Sequence, residues 1–255
     1  MEKPVTVIIG LGRTVGDAVA RRFHEAGHDV LAVDPDRALL DELYKTIGNK
    51  IQYHQGVIHT RLGLRNALAA ALETFGYVDH VVCIPDLPEP DTLRDLAMET
   101  FESTLIQSVR GAVQALRVFS EIMLEQIEDP SNAIDRARQS GSFTFVLSLG
   151  AAMVQPGWFS ESVTQSAILG VIKAGAVELA KDGVRVNGIT ALRPRAEGRE
   201  PWLISRTPMG RPALAEEIAE AALFLSNDQS AILTGQSLIL DGGRTALSGL
   251  IETAE

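Results

Sequence analysis

The amino-acid sequence predicts a doubly wound α/β fold, a parallel sheet of about seven strands with helices on both faces. Three observations predict it. Short Val/Ile-rich runs alternate with longer helical patterns from one end of the chain to the other. Most of those runs are apolar throughout, as strands are when both faces of their sheet are covered. A glycine-rich turn joins the first run to the first helical pattern. The chain has 255 residues, 45% hydrophobic and 22% charged, enough to bury one large core, so a single domain over 1–255 is expected.

Taken in order, the run at 5–9 is the first strand, and the turn after it opens a helix over 15–26. Strands at 29–33, 51–54 and 78–83 follow, separated by helices over 35–47 and 62–75. A long helical pattern over 100–126 leads to a strand at 143–148, and another over 162–181 leads to a strand at 184–189. A helix over 214–226 and a strand at 237–240 close the pattern. Three stretches read as irregular: 85–91 with its three prolines, 129–141, and the Pro/Arg/Gly-rich 191–213. In a parallel sheet the loops leaving the C-terminal strand ends carry the ligand site. The first and third stretches are such loops, whereas the second enters a strand.

Composition excludes several function classes. A net charge of −10 and a pI near 5.0 disfavour binding to nucleic acid or to an anionic membrane. Cys83 is the only cysteine, which rules out an internal disulfide and points to a reducing compartment. The N-terminus lacks the pattern of a signal peptide, and no apolar run approaches the roughly 20 residues that span a bilayer. A cytoplasmic protein is expected. The histidines His24, His28, His54, His59 and His80 are scattered over different expected elements and support neither a metal centre nor a Ser–His–acid triad. Cys83, at an apolar strand end, reads as a small core residue.

The turn after the first strand runs Ile9-Gly10-Leu11-Gly12-Arg13-Thr14-Val15-Gly16. Glycines there allow a tight turn and let a pyrophosphate approach backbone N–H groups at a helix N-terminus. Asp34, ending the second strand, can accept hydrogen bonds from ribose hydroxyls and repel a 2′-phosphate. The bland alternative is a glycine-rich turn beside a solvated aspartate.

With these residues and the C-terminal segments Val184-Arg185-Val186-Asn187-Gly188, Pro208-Met209-Gly210-Arg211-Pro212, Thr234-Gly235-Gln236 and Asp241-Gly242-Gly243, the chain resembles the short-chain dehydrogenase/reductase family over nearly its whole length. The resemblance implies an NAD(P)-dependent oxidoreductase acting on a small carbonyl or alcohol. Of that family's Thr-Gly-x-x-x-Gly-x-Gly, Gly10 and Gly16 match, Ile9 replaces the Thr and Thr14 the middle Gly. The resemblance places Gly10, Gly12, Arg13, Thr14, Val15, Gly16, Asp34 and Val57 at the cofactor. Asp34 argues for NAD. Arg13 sits where NADP-preferring members often carry a base, and with no phosphate bound it could pair with Asp34.

The expected chemistry is incomplete. The family's Tyr-x-x-x-Lys pair moves the substrate proton, the lysine lowering the phenol's pKa. Anchoring on Ser148 and on Gly170 gives one register, in which Glu161 stands for the tyrosine and Gln165 for the lysine. The family's helix-four asparagine falls on Ser108, and only Ser148 of the tetrad remains. Tyr44, Tyr53 and Tyr77 all lie far upstream, and Lys173 should project from another side of its helix. Glu161 has two readings. In an apolar pocket of Val154, Pro156, Trp158 and Phe159 it could act as acid or base. As a solvated glutamate it would simply favour a helix N-terminus, and that reading is preferred.

The nicotinamide end departs further. Val82-Cys83-Ile84-Pro85 replaces Asn-Asn-Ala-Gly, Ala191-Leu192 replaces Pro-Gly, Pro194 lacks the N–H that usually holds the carboxamide, and Gly56 replaces an adenine-contacting aspartate. Arg193, Arg195, Arg199, Arg206 and Arg211 read as a solvated basic loop or as the contact of an anionic ligand. The helices over 100–126 and 162–181 are apolar on more than one side, and the family commonly pairs them, so a homodimer or homotetramer is expected. Three functions remain open: an oxidoreductase with altered proton chemistry, a non-catalytic nucleotide-binding subunit, alone or joined to an active relative in a hetero-oligomer, and a structural subunit.

Overall fold

A computed structural model of the chain describes residues 3–11, 15–128, 140–192 and 205–248. Seven strands form one sheet in the order β3-β2-β1-β4-β5-β6-β7, every neighbouring pair parallel. They are β1 (Val5–Ile9), β2 (Asp29–Asp34), β3 (Gln52–Gln55), β4 (His80–Cys83), β5 (Gly141–Ser148), β6 (Val184–Ala191) and β7 (Ser237–Leu240). The order reverses between β1 and β4, which makes their C-terminal ends the switch point of the sheet.

Helices α1 (Val15–Glu25), α2 (Arg37–Ile47) and α3 (Arg61–Phe75) follow the first three strands. Each starts where the sequence supplies a start. Asp36 caps α2 by accepting from the Ala38 N–H, and Thr60 caps α3 by accepting from the Gly63 N–H. The later helices are α4 (Met98–Leu105), α5 (Gly111–Glu128), α6 (Phe159–Leu179) and α7 (Ala215–Ser226).

Two apolar layers sandwich the sheet. On one face Val7, Leu31, Val81, Phe143, Phe145 and Val186 meet side chains of α3, α5 and α6. On the other Ile8, Val30, Ala32, Val82, Val146 and Ile189 meet α1, α2 and α7. Odd and even strand positions therefore serve opposite layers, which is why the strands read as continuous apolar runs.

Two expectations need correction. The single helix expected over 100–126 is interrupted by a π-helical turn, Ile106–Arg110, that joins α4 to α5 and contains Ser108. A π turn is an insertion within a helical ladder, and apolar spacing does not announce it. In addition, α6 with the 3-10 turn after it (Phe159–Asp182, 24 residues, mean hydropathy 1.3) is long and apolar enough to cross a membrane by length and composition. Alanine, serine and glycine between its larger side chains hide that length from a search for unbroken apolar runs. Here Ile168, Ile172 and Ala176 bury one side of the helix against the sheet, while Val177 is 82% exposed.

The histidines are not all scattered. Below the sheet, at its N-terminal strand ends, His28 Nδ1 pairs with Thr6 Oγ1 at 2.9 Å and His80 Nδ1 with Ser142 Oγ at 2.9 Å. The two rings lie 5.4 Å apart. Desolvation pushes His28 down to about 4 and His80 to about 3, and Arg22 and Arg185 push the same way. Both rings are therefore neutral at pH 7.

Candidate active site

The turn after β1 is tied down by backbone chemistry. The Gly10 N–H donates to Val33 O at 2.9 Å and the Gly16 N–H to Leu11 O at 2.7 Å. Gly10 has φ +82°, and a Cβ there would stand 2.4 Å from Ile84 O. A Cβ on Gly16 would stand 2.4 Å from the Leu11 backbone. Both glycines are needed for the turn itself, whatever binds to it. Val15 is fully buried at the start of α1.

Asp34 is 3% exposed, so the solvated-aspartate reading fails. Its Oδ2 accepts from the Leu11 N–H at 2.7 Å and its Oδ1 from the Asp36 N–H at 2.8 Å. Burial holds the carboxyl above its ordinary value, against the pull of those two donors. The aspartate thus staples the glycine turn to the end of β2. Each carboxylate oxygen keeps lone-pair capacity for one further donor, such as a ribose hydroxyl. Val57, 44% exposed, lies in the loop after β3.

A cavity of about 110 Å³ sits at the switch point, lined among others by Ile9, Pro35, Ile58, Cys83, Pro85 and Ser108. It is well below the roughly 300–1,000 Å³ of ligand-sized pockets. Burial pushes the Cys83 thiol up to about 12, which makes it a core residue and a poor nucleophile.

At the ends of β5 and β6 the polar groups close on one another. The Ser148 hydroxyl donates to Glu161 Oε1 at 2.6 Å and accepts from the Gly150 N–H at 3.2 Å. The Ser148 N–H donates to Gln165 Oε1 at 3.0 Å. Glu161 and Gln165 stand one turn apart on α6, so a single helix face carries both to the same serine. Because Gln165 Oε1 accepts from a backbone N–H, its Nε2 is fixed as a donor, and that buried atom has no partner among the described residues.

Glu161 is 5% exposed, which overturns the preferred reading of a solvated glutamate. The apolar pocket expected around it is also wrong in part, since Val154 is 73% exposed. Ser148 and the backbone of Gly150 adjoin the carboxylate, and a Cβ on Gly150 would lie 3.2 Å from Glu161 Oε1. The Ser148 hydroxyl spends its one proton on Glu161, so in this arrangement it has none for a substrate oxygen.

Just beyond, Leu149 and Leu192 are buried against each other with Met153 packed beside them. They follow Ser148 and Ala191, which are paired across β5 and β6. A leucine therefore occupies the place that the resemblance assigns to glycine. No tyrosine reaches this cluster. Tyr53 donates to Gly48 O, Tyr77 to Lys3 O, and the Tyr44 ring packs on Tyr53. Lys173 is exposed on α6.

The fold thus brings Gly10, Val15, Gly16 and Asp34 together on one side of the switch point, and Ser148, Glu161 and Gln165 on the other. Gly12, Arg13, Thr14, Arg193, Pro194, Arg195 and Arg199 lie outside the described residues. Arg211 forms a two-pronged pair with Glu217 at 2.7 and 2.8 Å, in line with a solvated basic loop. No group of His, Cys, Asp and Glu suited to a metal occurs among the described residues. Sequence reasoning missed the bond from the Ser148 N–H to Gln165 and the role of Asp91 at the start of α6. The sole signal for either was position relative to a strand end.

Comparisons with known proteins agree with this architecture. A family model described as enoyl-(acyl carrier protein) reductase matches residues 10–245. Short-chain dehydrogenase reductase 3a of Arabidopsis thaliana is 27% identical over 256 residues, covering 95% of each chain. Glucose 1-dehydrogenase of Gluconobacter oxydans is 26% identical, over 94% of this chain and 91% of the relative. The crystal structure of 3-ketoacyl-(acyl-carrier-protein) reductase from Brucella melitensis complexed with NADH superposes with a TM-score of 0.84 at 28% identity, covering 96% of this chain and 99% of that one. With its sheet order, its glycine turn and a family match over most of its length, the chain belongs to the short-chain dehydrogenase/reductase family.

Proposed function

We propose that this chain is a nucleotide-binding member of the family, preferring NAD over NADP, in which carbonyl reduction by a phenol–ammonium pair has been lost. The observation that carries the reading is the Ser148–Glu161–Gln165 cluster, a carboxylate and an amide at the two positions where the reaction needs a proton donor and a cation. A bound nicotinamide would supply a hydride. The adenosine half of the cleft fits such a group, because Asp34 keeps acceptor capacity for a ribose while opposing a 2′-phosphate. The hydride half does not fit, because the Ser148 hydroxyl spends its one proton on Glu161 and Gln165 supplies an amide where a cation is needed. No hydride step is therefore assigned to this site.

A second copy of the chain, or an active relative in its place, covers the exposed apolar side chains of the π turn, α5 and α6, namely Ile106, Val113 and Val177, giving a homodimer, a homotetramer or a hetero-oligomer. The single buried thiol suits a reducing, cytoplasmic compartment.

The test is a titration of the purified protein with NADH, followed by a panel of small ketones, aldehydes and alcohols. The expected result is NADH binding without turnover. Reduction of any carbonyl at about 1 s⁻¹ or faster would overturn the reading. A double variant, Glu161→Tyr with Gln165→Lys, should remain slow as well, because Leu192 still replaces the glycine that the family carries after β6.

A further inference from the structure

We propose that Asp91 is a positioning residue, a latch that holds the loop after β4 on the first turn of α6 and thereby sets the Ser148–Glu161–Gln165 cluster. This holds whether or not a nucleotide binds. One residue makes four contacts to the start of that helix. The Asp91 N–H donates to Gly157 O at 3.0 Å, and Asp91 O accepts from the Phe159 N–H at 3.3 Å. Its Oδ1 accepts from the Ser160 N–H at 2.9 Å, and its Oδ2 accepts from the Ser160 hydroxyl. Asp91 and Trp158 also form an isolated parallel bridge.

The need for such a latch follows from the helix itself. The first N–H groups of a helix have no partner within it, and a side chain near the start normally accepts one. The residue at the cap position of α6 is Trp158, whose side chain makes no capping bond. Asp91 supplies that acceptor from 69 residues away, as a carboxylate at the positive end of the helix dipole. Ser160 is 1% exposed and directly precedes Glu161, so the latch fixes the turn from which Glu161 reaches Ser148. The following element adds to the clasp, with Phe101 of α4 lying 6.0 Å from the Phe159 ring. The loop thus leaves the end of β4, is held on the start of α6 at Asp91, and continues into α4.

Hydrogen exchange on the intact chain tests the latch, together with the ¹³C shift of the Glu161 carboxyl group. Asp91→Ala should speed exchange of the Ser160, Glu161 and Ser162 amides about tenfold and move the Glu161 signal, with the β1 and β2 amides unchanged. Asp91→Asn keeps an acceptor for the Ser160 N–H and should restore most of both readouts. Ser160→Ala removes only the hydroxyl contact and should give a smaller effect of the same kind; it serves if the alanine variant fails to fold. Unchanged exchange at the start of α6, a uniform rise across the whole sheet, or an asparagine variant no better than alanine would each overturn the proposal.

Discussion

The two sides of the switch point have been treated differently. Around β1, α1 and β2, the side chains bond to backbone and leave acceptor capacity over: Asp34 holds the Leu11 and Asp36 N–H groups while keeping further lone pairs. Around β5, α6 and β6, side chains bond to one another, with Ser148 held between Glu161 and Gln165 and leucines packed alongside. On the proposed reading the first side remains able to receive a ligand, and the second is closed. A sheet scaffold would then keep the binding end of a cleft while its reacting end becomes part of the core.

The first side breaks most easily at its glycines. Gly10→Val or Gly16→Val puts a side chain into backbone 2.4 Å away and should cost about 3 kcal/mol or more, read from the urea midpoint. Next, Asp34→Ala leaves two buried N–H groups without their charged acceptor. It should cost about 3 kcal/mol and abolish NADH binding, both measurable on the same sample.

Acid strikes both sides together through the histidines below the sheet. Their folded-state pKa values, about 4 for His28 and about 3 for His80, lie below the ordinary 6.5. The unfolded chain therefore takes up protons that the folded chain refuses, and stability is lost as pH falls from 6.5 toward 4. Arg22, Arg185 and the neighbouring ring oppose protonation, and Asp29, facing His28, favours it. Between pH 7 and pH 5.5 the loss should reach about 2.5 kcal/mol by urea unfolding. A His28→Gln, His80→Gln double variant should flatten that slope.

The smallest effect sharpens the second side. Ser148→Ala removes the donor to a buried carboxylate and should destabilise by about 1–2 kcal/mol. In a site kept for catalysis, replacing a catalytic polar group commonly stabilises the protein. A stability gain for Ser148→Ala would therefore place this side back among working active sites.

The sheet was legible because its signals are local and repeated: the expected strands at 5–9 and 237–240 match β1 and β7 residue for residue. The register that puts Glu161 and Gln165 at the reacting positions was legible too, since anchors stand on both sides of it in the sequence. Burial was not. Whether Glu161 faces water depends on Ser148 and Gly150, 13 and 11 residues earlier in the chain, meeting it in space. The π turn at Ser108 and the pairing of His28 with His80 escaped for the same reason, as no pattern in sequence spacing records them. The stretch holding Asp91 was read as an irregular loop at the ligand end of the sheet, with no role for that residue.

The most direct test compares two ligands that differ only at the end held to be closed. Calorimetric titration with NADH and with adenosine diphosphoribose, which lacks the nicotinamide, measures what that end contributes. If only the adenosine side engages, the two Kd values will agree within about threefold, less than 1 kcal/mol apart. NADH binding tenfold or more tighter than adenosine diphosphoribose would contradict the account.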